Sequence, residues 1–339
     1  MKKNFLKVVI IQVFGLFFVL SYAAPTPFMD PPTLDKYSPG AQALGMGGSF
    51  ANIWADDPQA MWENPAAAAL FARGNRIGIG TGNLEWLKPF GSGGVAGGLD
   101  LGGKFTLGLG FTTVNWDYAP EEYSPVIFYS GMGAAVSWHS FLDVSVGFTG
   151  KMLYEGYPDT SFFSRKGLDI GAIVEWPVLA SLNMGDLTLM GRAMHFDITP
   201  GIHYTVKNLG PDVTNNYLFG FNVAFTLADP EAGCDLIHIK YARDMKDSET
   251  MNALQFGFYD VVFVRFGNHA YGSTEFIASG YGISYSRLIM SLVHALGADP
   301  DRTGLINRLQ LEQHWGSWSW NGSDIGVTGN TLLLKWSSK

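Results

Sequence analysis

Along much of the chain, large apolar residues stand at every second position. In "FGFNVAFTL" (219–227), Phe219, Phe221, Val223, Phe225 and Leu227 alternate with Gly220, Asn222, Ala224 and Thr226. A period of two puts the two sets on opposite faces of an extended strand. The pattern recurs in "FTLGLGFT" (105–112), "LDVSVGF" (142–148), "LQFGF" (254–258) and "GYGISY" (280–285). These stretches predict β-strands. Further candidates bring the expected set to 76–83, 95–101, 104–114, 128–138, 142–153, 167–176, 184–193, 198–206, 217–227, 235–243, 252–258, 262–268, 277–285, 288–295, 305–313 and 329–336. Pro177 and Pro200 make 177–200 the hardest stretch to assign.

The small face says what kind of sheet this is. A water-facing sheet carries Lys, Glu and other long polar side chains there, whereas these strands carry Gly, Ser, Thr, Ala and Asn. Small residues suit the inside of a closed barrel that holds something besides its own side chains, and the large residues then face lipid. Very short connections are expected at Gly102-Gly103, His139-Ser140, Tyr259-Asp260 and Ser286-Arg287. Longer polar loops are expected at 115–125, 154–166, 268–275 and 297–304. Tight turns at one rim and long loops at the other are the wiring of an outer-membrane barrel. A soluble sandwich or propeller is the competing fold.

Composition sharpens the picture. Charged residues are 15% of 339, aromatics 14% with 10 Trp, and there are 42 Gly. Ordinary soluble domains carry about 25% charge. Beyond the first 20 residues no apolar run is long enough for a membrane helix. The net charge of −8, without basic clusters, excludes nucleic acid as a partner. The N-terminus reads as an export signal: Lys2, Lys3 and Lys7, an apolar core at 8–20, and "SYA" (21–23) with cleavage after Ala23. An uncleaved anchor is the alternative. The expected location is therefore the bacterial outer membrane, with its lipid as the first partner. Cys234, the single cysteine, has no internal disulfide partner.

One segment does not alternate. Residues 37–74 pair Asp57 with Pro58 and Asn64 with Pro65, each an N-cap followed by proline at the first helical position, predicting two short helices. A compact segment of short helices fits inside a barrel whose inner face is small. The expected organisation is a signal peptide at 1–23, a hatch at 24–74 and a barrel at 75–339.

"GAQALGMGGSFANIWADDPQAMWENPAAAA" (40–69) resembles the N-terminal signature of FadL-type outer-membrane proteins, most closely the PorV/PorQ-like branch. "YTVKNLGP" (204–211), "LQFGFYDVVFVRFGNHA" (254–270) and "GYGISYSRLIMSLVHA" (280–295) resemble later segments of that branch. The resemblance implies an all-β transmembrane barrel of about 14 antiparallel strands with an N-terminal helical hatch inside. It places the hatch motif at Asn64, Pro65 and Ala66, beside Asp57 and Pro58. For FadL-like members it implies uptake of hydrophobic small molecules, which leave sideways through the wall. For PorV-like members it implies type IX-like secretion, with secretion-system proteins as partners. A purely structural outer-membrane protein is the third reading. The sequence departs from the family in its short length and in "LLLKWSSK", which lacks a terminal aromatic.

Catalytic constellations are poor, so no enzyme and no cofactor is expected. The 7 His show no metal-helix spacing, and no Ser sits in a nucleophile elbow. "GMGG" (45–48) and "GIGTG" (78–82) lack phosphate-loop context. Asp56 and Asp57 lack further calcium ligands, so no metal is expected. Trp315, Trp318 and Trp320 form either a stacking platform or interface aromatics. A hydrophobic ligand, if bound, has Met46, Phe50, Trp54, Met61, Trp62 and Phe71 as its lining; packing of the hatch is the default reading of the same residues.

Overall fold

The computed structural model describes residues 40–46, 48–50, 55–86, 88–117, 126–157, 161–189, 191–209, 216–230, 234–246, 249–272, 274–295, 308–320 and 326–338. The expected signal segment at 1–23 and Trp54 lie outside these residues.

Alternation builds one antiparallel sheet. Its strands are β1 (Ile77–Trp86), β2 (Lys88–Leu101), β3 (Phe105–Asp117), β4 (Val126–His139), β5 (Asp143–Tyr157), β6 (Ser161–Glu175), β7 (Asp186–Leu189), β8 (Arg192–Leu209), β9 (Asn216–Asp229), β10 (Cys234–Lys246), β11 (Glu249–Phe258), β12 (Val262–Tyr271), β13 (Thr274–Ser284), β14 (Leu309–Trp320) and β15 (Gly326–Trp336). Consecutive strands pair throughout except β6 with β7, β1 also pairs with β15, and β6 pairs with β8. The four-residue β7 pairs only with β8, so the sheet closes into a 14-stranded barrel with β7 as an appendage.

The large residues do face outward. Leu107, Leu109, Val146, Phe148, Phe219, Phe225 and Tyr281 are all 41–55% exposed, while their strand neighbours Gly108, Gly147, Gly220 and Gly282 are buried. Such a belt is stable only against hydrocarbon. Trp138, Trp176, Tyr259 and Trp336, each 38–58% exposed, stand near the strand ends at one rim. That is the level at which amphipathic rings meet lipid headgroups.

Two of the sixteen expected strands are not barrel strands. Residues 288–295 lie in the helix Tyr285–Ala295. Tyr285, Leu288, Ile289 and Leu292 follow helical spacing, one stripe with a period near 3.6. The expected turn at Ser286-Arg287 is the first turn of this helix. In the 184–193 region Asp186–Leu189 is the short β7 outside the barrel, after the short helix Val178–Ser181, and β8 begins at Arg192.

Pro200 sits within β8, where a proline normally disrupts pairing. Its carbonyl accepts from Trp176 N at 2.9 Å. The N–H and C=O of a strand residue point the same way, so the missing donor faces the edge where β6 has just ended. The ladder to β9 stays intact through Pro200–Val223.

The expected rim asymmetry does not hold. Gly102-Gly103, Ser140 and Tyr259-Asp260 form tight turns at one rim. That same rim carries the excursions between β6 and β8 and between β13 and β14. At the opposite rim β5 and β6 pair up to Tyr157–Ser161, and β12 and β13 up to Tyr271–Thr274, so 154–166 and 268–275 are mostly strand.

Candidate functional site

The described part of 40–76 lies inside the ring and touches inward positions on many strands. Asp57 Oδ1 accepts from Gln59 N at 2.8 Å ahead of the 3₁₀ turn Ala60–Trp62. Asn64 Oδ1 accepts from Ala66 N at 3.0 Å ahead of the helix Ala67–Phe71. Each side chain closes a local turn just ahead of its element, whose own cap residues, Gln59 and Ala66, make no side-chain capping bond, so neither expected cap stands at the helix start itself. The wall admits this segment because its inner face is small. A Cβ at Gly108 would lie 2.3 Å from the Ala68 backbone, and one at Gly147 would lie 2.7 Å from Pro65 C.

Asn64 also reaches the seam that closes the barrel. Its Nδ2 donates to Ala172 O on β6 at 3.2 Å and to Tyr204 O on β8 at 3.3 Å. Ala172 and Tyr204 are direct partners across that seam. A Cβ at Gly171 would lie 2.0 Å from Asn64 Oδ1. The seam's register shifts between Leu168 and Ile170, opposite Lys207 and Asn208. Lys207, fully buried, donates to Glu63 Oε2 at 2.5 Å. Asn208 takes φ 61, and its N–H goes to Asp169 Oδ1 at 2.9 Å. Lys151 pairs with the other oxygen of Asp169 and stands over the Trp62 ring. Ser145 Oγ donates to Ala66 O at 2.7 Å.

The apolar candidates are packed side chains. Met46, Phe50, Met61, Trp62 and Phe71 are each 0–2% exposed. Phe50 meets His203 edge-on at 5.2 Å, and its N–H donates to Asp244 Oδ2 at 2.6 Å. Phe71 fills the space a Cβ on Gly78 would need, with Cζ 2.5 Å from that position, and lies under Arg76. Trp315 and Trp318 face opposite ways: Trp315 stacks outside on Tyr281 at 4.8 Å, and Trp318 stacks inside on His269 at 5.4 Å. They form no common platform, because an odd and an even position of one strand cannot share a face.

The lumen is far more charged than its small residues suggest. Residues not singled out in the sequence build its networks. Asp244 accepts from Ser49 Oγ at 2.9 Å and pairs with His203 at 2.9 Å. His269 pairs with Glu249 at 3.0 Å, and Glu312 with Lys335 at 2.8 Å. The legible signal was position: a charged residue inside a lipid-spanning strand has only the lumen to face. Near the rim, Thr106 Oγ1 lies 2.8 Å from His139 Nε2, and His139 Nδ1 lies 3.1 Å from Asp143. This outlines a nucleophile–base–acid chain, but Thr106 is fully buried and His139 Nδ1 makes no aligned hydrogen bond. Arg73 reaches Asp143 at 2.7 Å, so the group ties the lumenal segment to the rim.

Within the lumenal segment, adjacent carboxyls differ. Burial pushes the Asp57 carboxyl up to about 6, against a weaker downward pull from the Gln59 N–H. Burial would also raise Asp56, but the Lys240 and Lys335 ammoniums outweigh it and hold that carboxyl well below the usual range. Asp56 Oδ2 lies 2.9 Å from Lys240 Nζ. Asp235, His238 and Asp260 bring ligand-type atoms within 4.8 Å of one another. Arg265 Nε holds Gln255 Oε1 at 2.6 Å, so the amide's Nε2 donates to His238 Nε2 at 3.2 Å. The proton of neutral His238 is then on Nδ1, on the side of Asp260, where a metal would need a lone pair.

No known family profile matches the chain, and no curated protein matches it. Solved structures do. The toluene transporter TbuX of Ralstonia pickettii superposes with a TM-score of 0.50 at 10% identity, covering 88% of this chain and 98% of that one. The chain shares that barrel's fold. A FadL homologue of Pseudomonas aeruginosa matches with a TM-score of 0.44 at 10% identity, over 93% and 100% of the two chains. The toluene transporter TodX of Pseudomonas putida matches with 0.44 at 8% identity, over 92% and 99%. At these identities the likeness is one of architecture.

Proposed function

We propose that this protein is an outer-membrane transporter for small hydrophobic molecules, with lateral exit at the β6–β8 seam. The observation that carries the reading is Asn64, a buried side chain of the lumenal segment that donates to both strands of the closing seam. On this reading residues 24–74 are the hatch, Asn64-Pro65-Ala66 its wedge, and 1–23 a cleaved signal. The fold shared with a toluene transporter supports the substrate class.

The test is to lock the seam. Ala172 and Tyr204 are opposite one another and both side chains point outward, so A172C/Y204C in a C234S background places two thiols for a bridge. Cells carrying the oxidised double variant are expected to lose uptake of labelled toluene, and reductant is expected to restore it. Equal uptake in the locked and reduced forms overturns lateral exit, and uptake no greater than in cells lacking the protein overturns transport.

A second reading, a PorV/PorQ-type partner in protein secretion, is favoured by the 40–69 patch and by the close packing of Met46, Phe50, Met61, Trp62 and Phe71. Loss of surface-attached cargo on deletion, with toluene uptake unchanged, decides for it.

A further inference from the structure

A cavity of about 220 Å³ lies between the lumenal segment and the wall on the β10–β15 side. It reaches the tight-turn rim, because Asp260 in the turn and Arg287 in the first turn of the rim helix line it together with deeper residues. Drug-sized pockets begin near ~300 Å³, so its occupant is small. Its lining is mostly polar, with five cationic side chains against four anionic, an excess of one positive charge.

Arg265 lines the cavity. It is 1% exposed. Its Nε donates to Gln255 Oε1 at 2.6 Å, one terminal nitrogen to His314 Nδ1 at 3.1 Å and the other to Gln42 Oε1 at 3.1 Å. His314 accepts there and passes its own proton towards Glu312 Oε2 at 3.2 Å, which makes it the neutral imidazole. A buried guanidinium therefore has three neutral partners, where burial ordinarily demands a paired anion. A guanidinium carries five N–H groups, so among the described residues two remain without a partner, one on each terminal nitrogen. The nearest carboxylates are committed elsewhere: Glu312 to Lys335 at 2.8 Å, Asp56 to Lys240 at 2.9 Å, and Asp57 to the Gln59 N–H at 2.8 Å.

The remaining walls add chemistry. Phe263 lies beside Arg265, 5.5 Å from ring centroid to guanidinium carbon, and is flanked by the rings of His238 at 5.6 Å and His314 at 5.8 Å. A second guanidinium, half-buried Arg76, lines the same space and is held by Ala55 O at 2.9 Å. Burial pushes the Asp260 carboxyl up, weakening the negative arm at the rim.

We propose that this cavity binds a small organic carboxylate, its two oxygens on the free N–H pair of Arg265, with any ring against Phe263. Paired N–H donors and a planar carboxylate match in geometry as well as in charge. A monoanion would also neutralise the excess charge of the lining. The site lies away from the β6–β8 seam, so it stands or falls separately from lateral exit.

Benzoate is the probe, titrated calorimetrically into the full chain in detergent, with benzyl alcohol as the uncharged control and inorganic phosphate as the rival anion. Saturable benzoate binding is expected, with none for benzyl alcohol and an affinity loss of at least about tenfold in R265Q. Equal binding of benzyl alcohol, unchanged affinity in R265Q, or tighter binding of phosphate than of benzoate overturns the proposal. If R265Q does not give a folded, heat-modifiable barrel, R76Q carries the test. A several-fold loss of benzoate affinity is then expected, and an unchanged titration overturns the assignment.

Discussion

Asp57 shows what this lumen does to a single carboxyl. Burial raises it to about 6 from the ordinary 3.8. A carboxyl whose folded value is raised holds its proton in the packed state, so its stabilising contribution is fully present below the ordinary value and is lost as pH rises through about 6. Amide exchange across 57–71, corrected for intrinsic rates, is therefore expected to quicken roughly tenfold between pH 5 and pH 7.5. D57N is expected to abolish that difference; a pH dependence that survives D57N counts against it. Asn64 makes the complementary point. Its cap on Ala66 is written locally, two residues away, but its donation to Ala172 and Tyr204 spans 108 and 140 residues, and no local pattern encodes that.

Among the elements, strands were legible wherever large and small residues alternate, because that alternation is itself the consequence of one wet or crowded face and one oily one. The helix Tyr285–Ala295 replaces an expected strand because a short apolar run satisfies either period. The stripe of Tyr285, Leu288, Ile289 and Leu292 decides it, and Leu288, Ile289 and Leu292 remain 39–56% exposed. The two assignments diverge in a simple experiment. Proline at position 291 costs a helix about 3 kcal/mol but lies outside the ladder. S291P should keep the heat-modifiable mobility of a closed barrel, whereas Y281P, in the middle of β13, should lose it. Loss of the barrel in S291P would restore the strand assignment.

Taken whole, the molecule turns a soluble protein inside out: oily residues outside, and ion pairs and small residues within. Arginine on the lipid face of such a barrel costs about 2–4 kcal/mol at the midplane and about 0–1 near the interfaces. L109R, in the middle of β3 with Leu109 50% exposed, should therefore lower folding yield into liposomes far more than L101R at the strand's rim neighbour β2, where Leu101 is 61% exposed. Equal yields would mean that the belt is not in hydrocarbon.

The sequence by itself determined that the chain makes strands, which face of each is oily, and that the oily face meets lipid, because these follow from periods and compositions that each short stretch carries. Only the tertiary structure decided where the barrel closes, that 288–295 is helix, that Trp315 and Trp318 part company, and that Arg265 meets Gln42, 223 residues away. Those outcomes depend on which strands become neighbours and what fills the space between them, and the energy of a buried charge or a seam belongs to the partners that closure brings together.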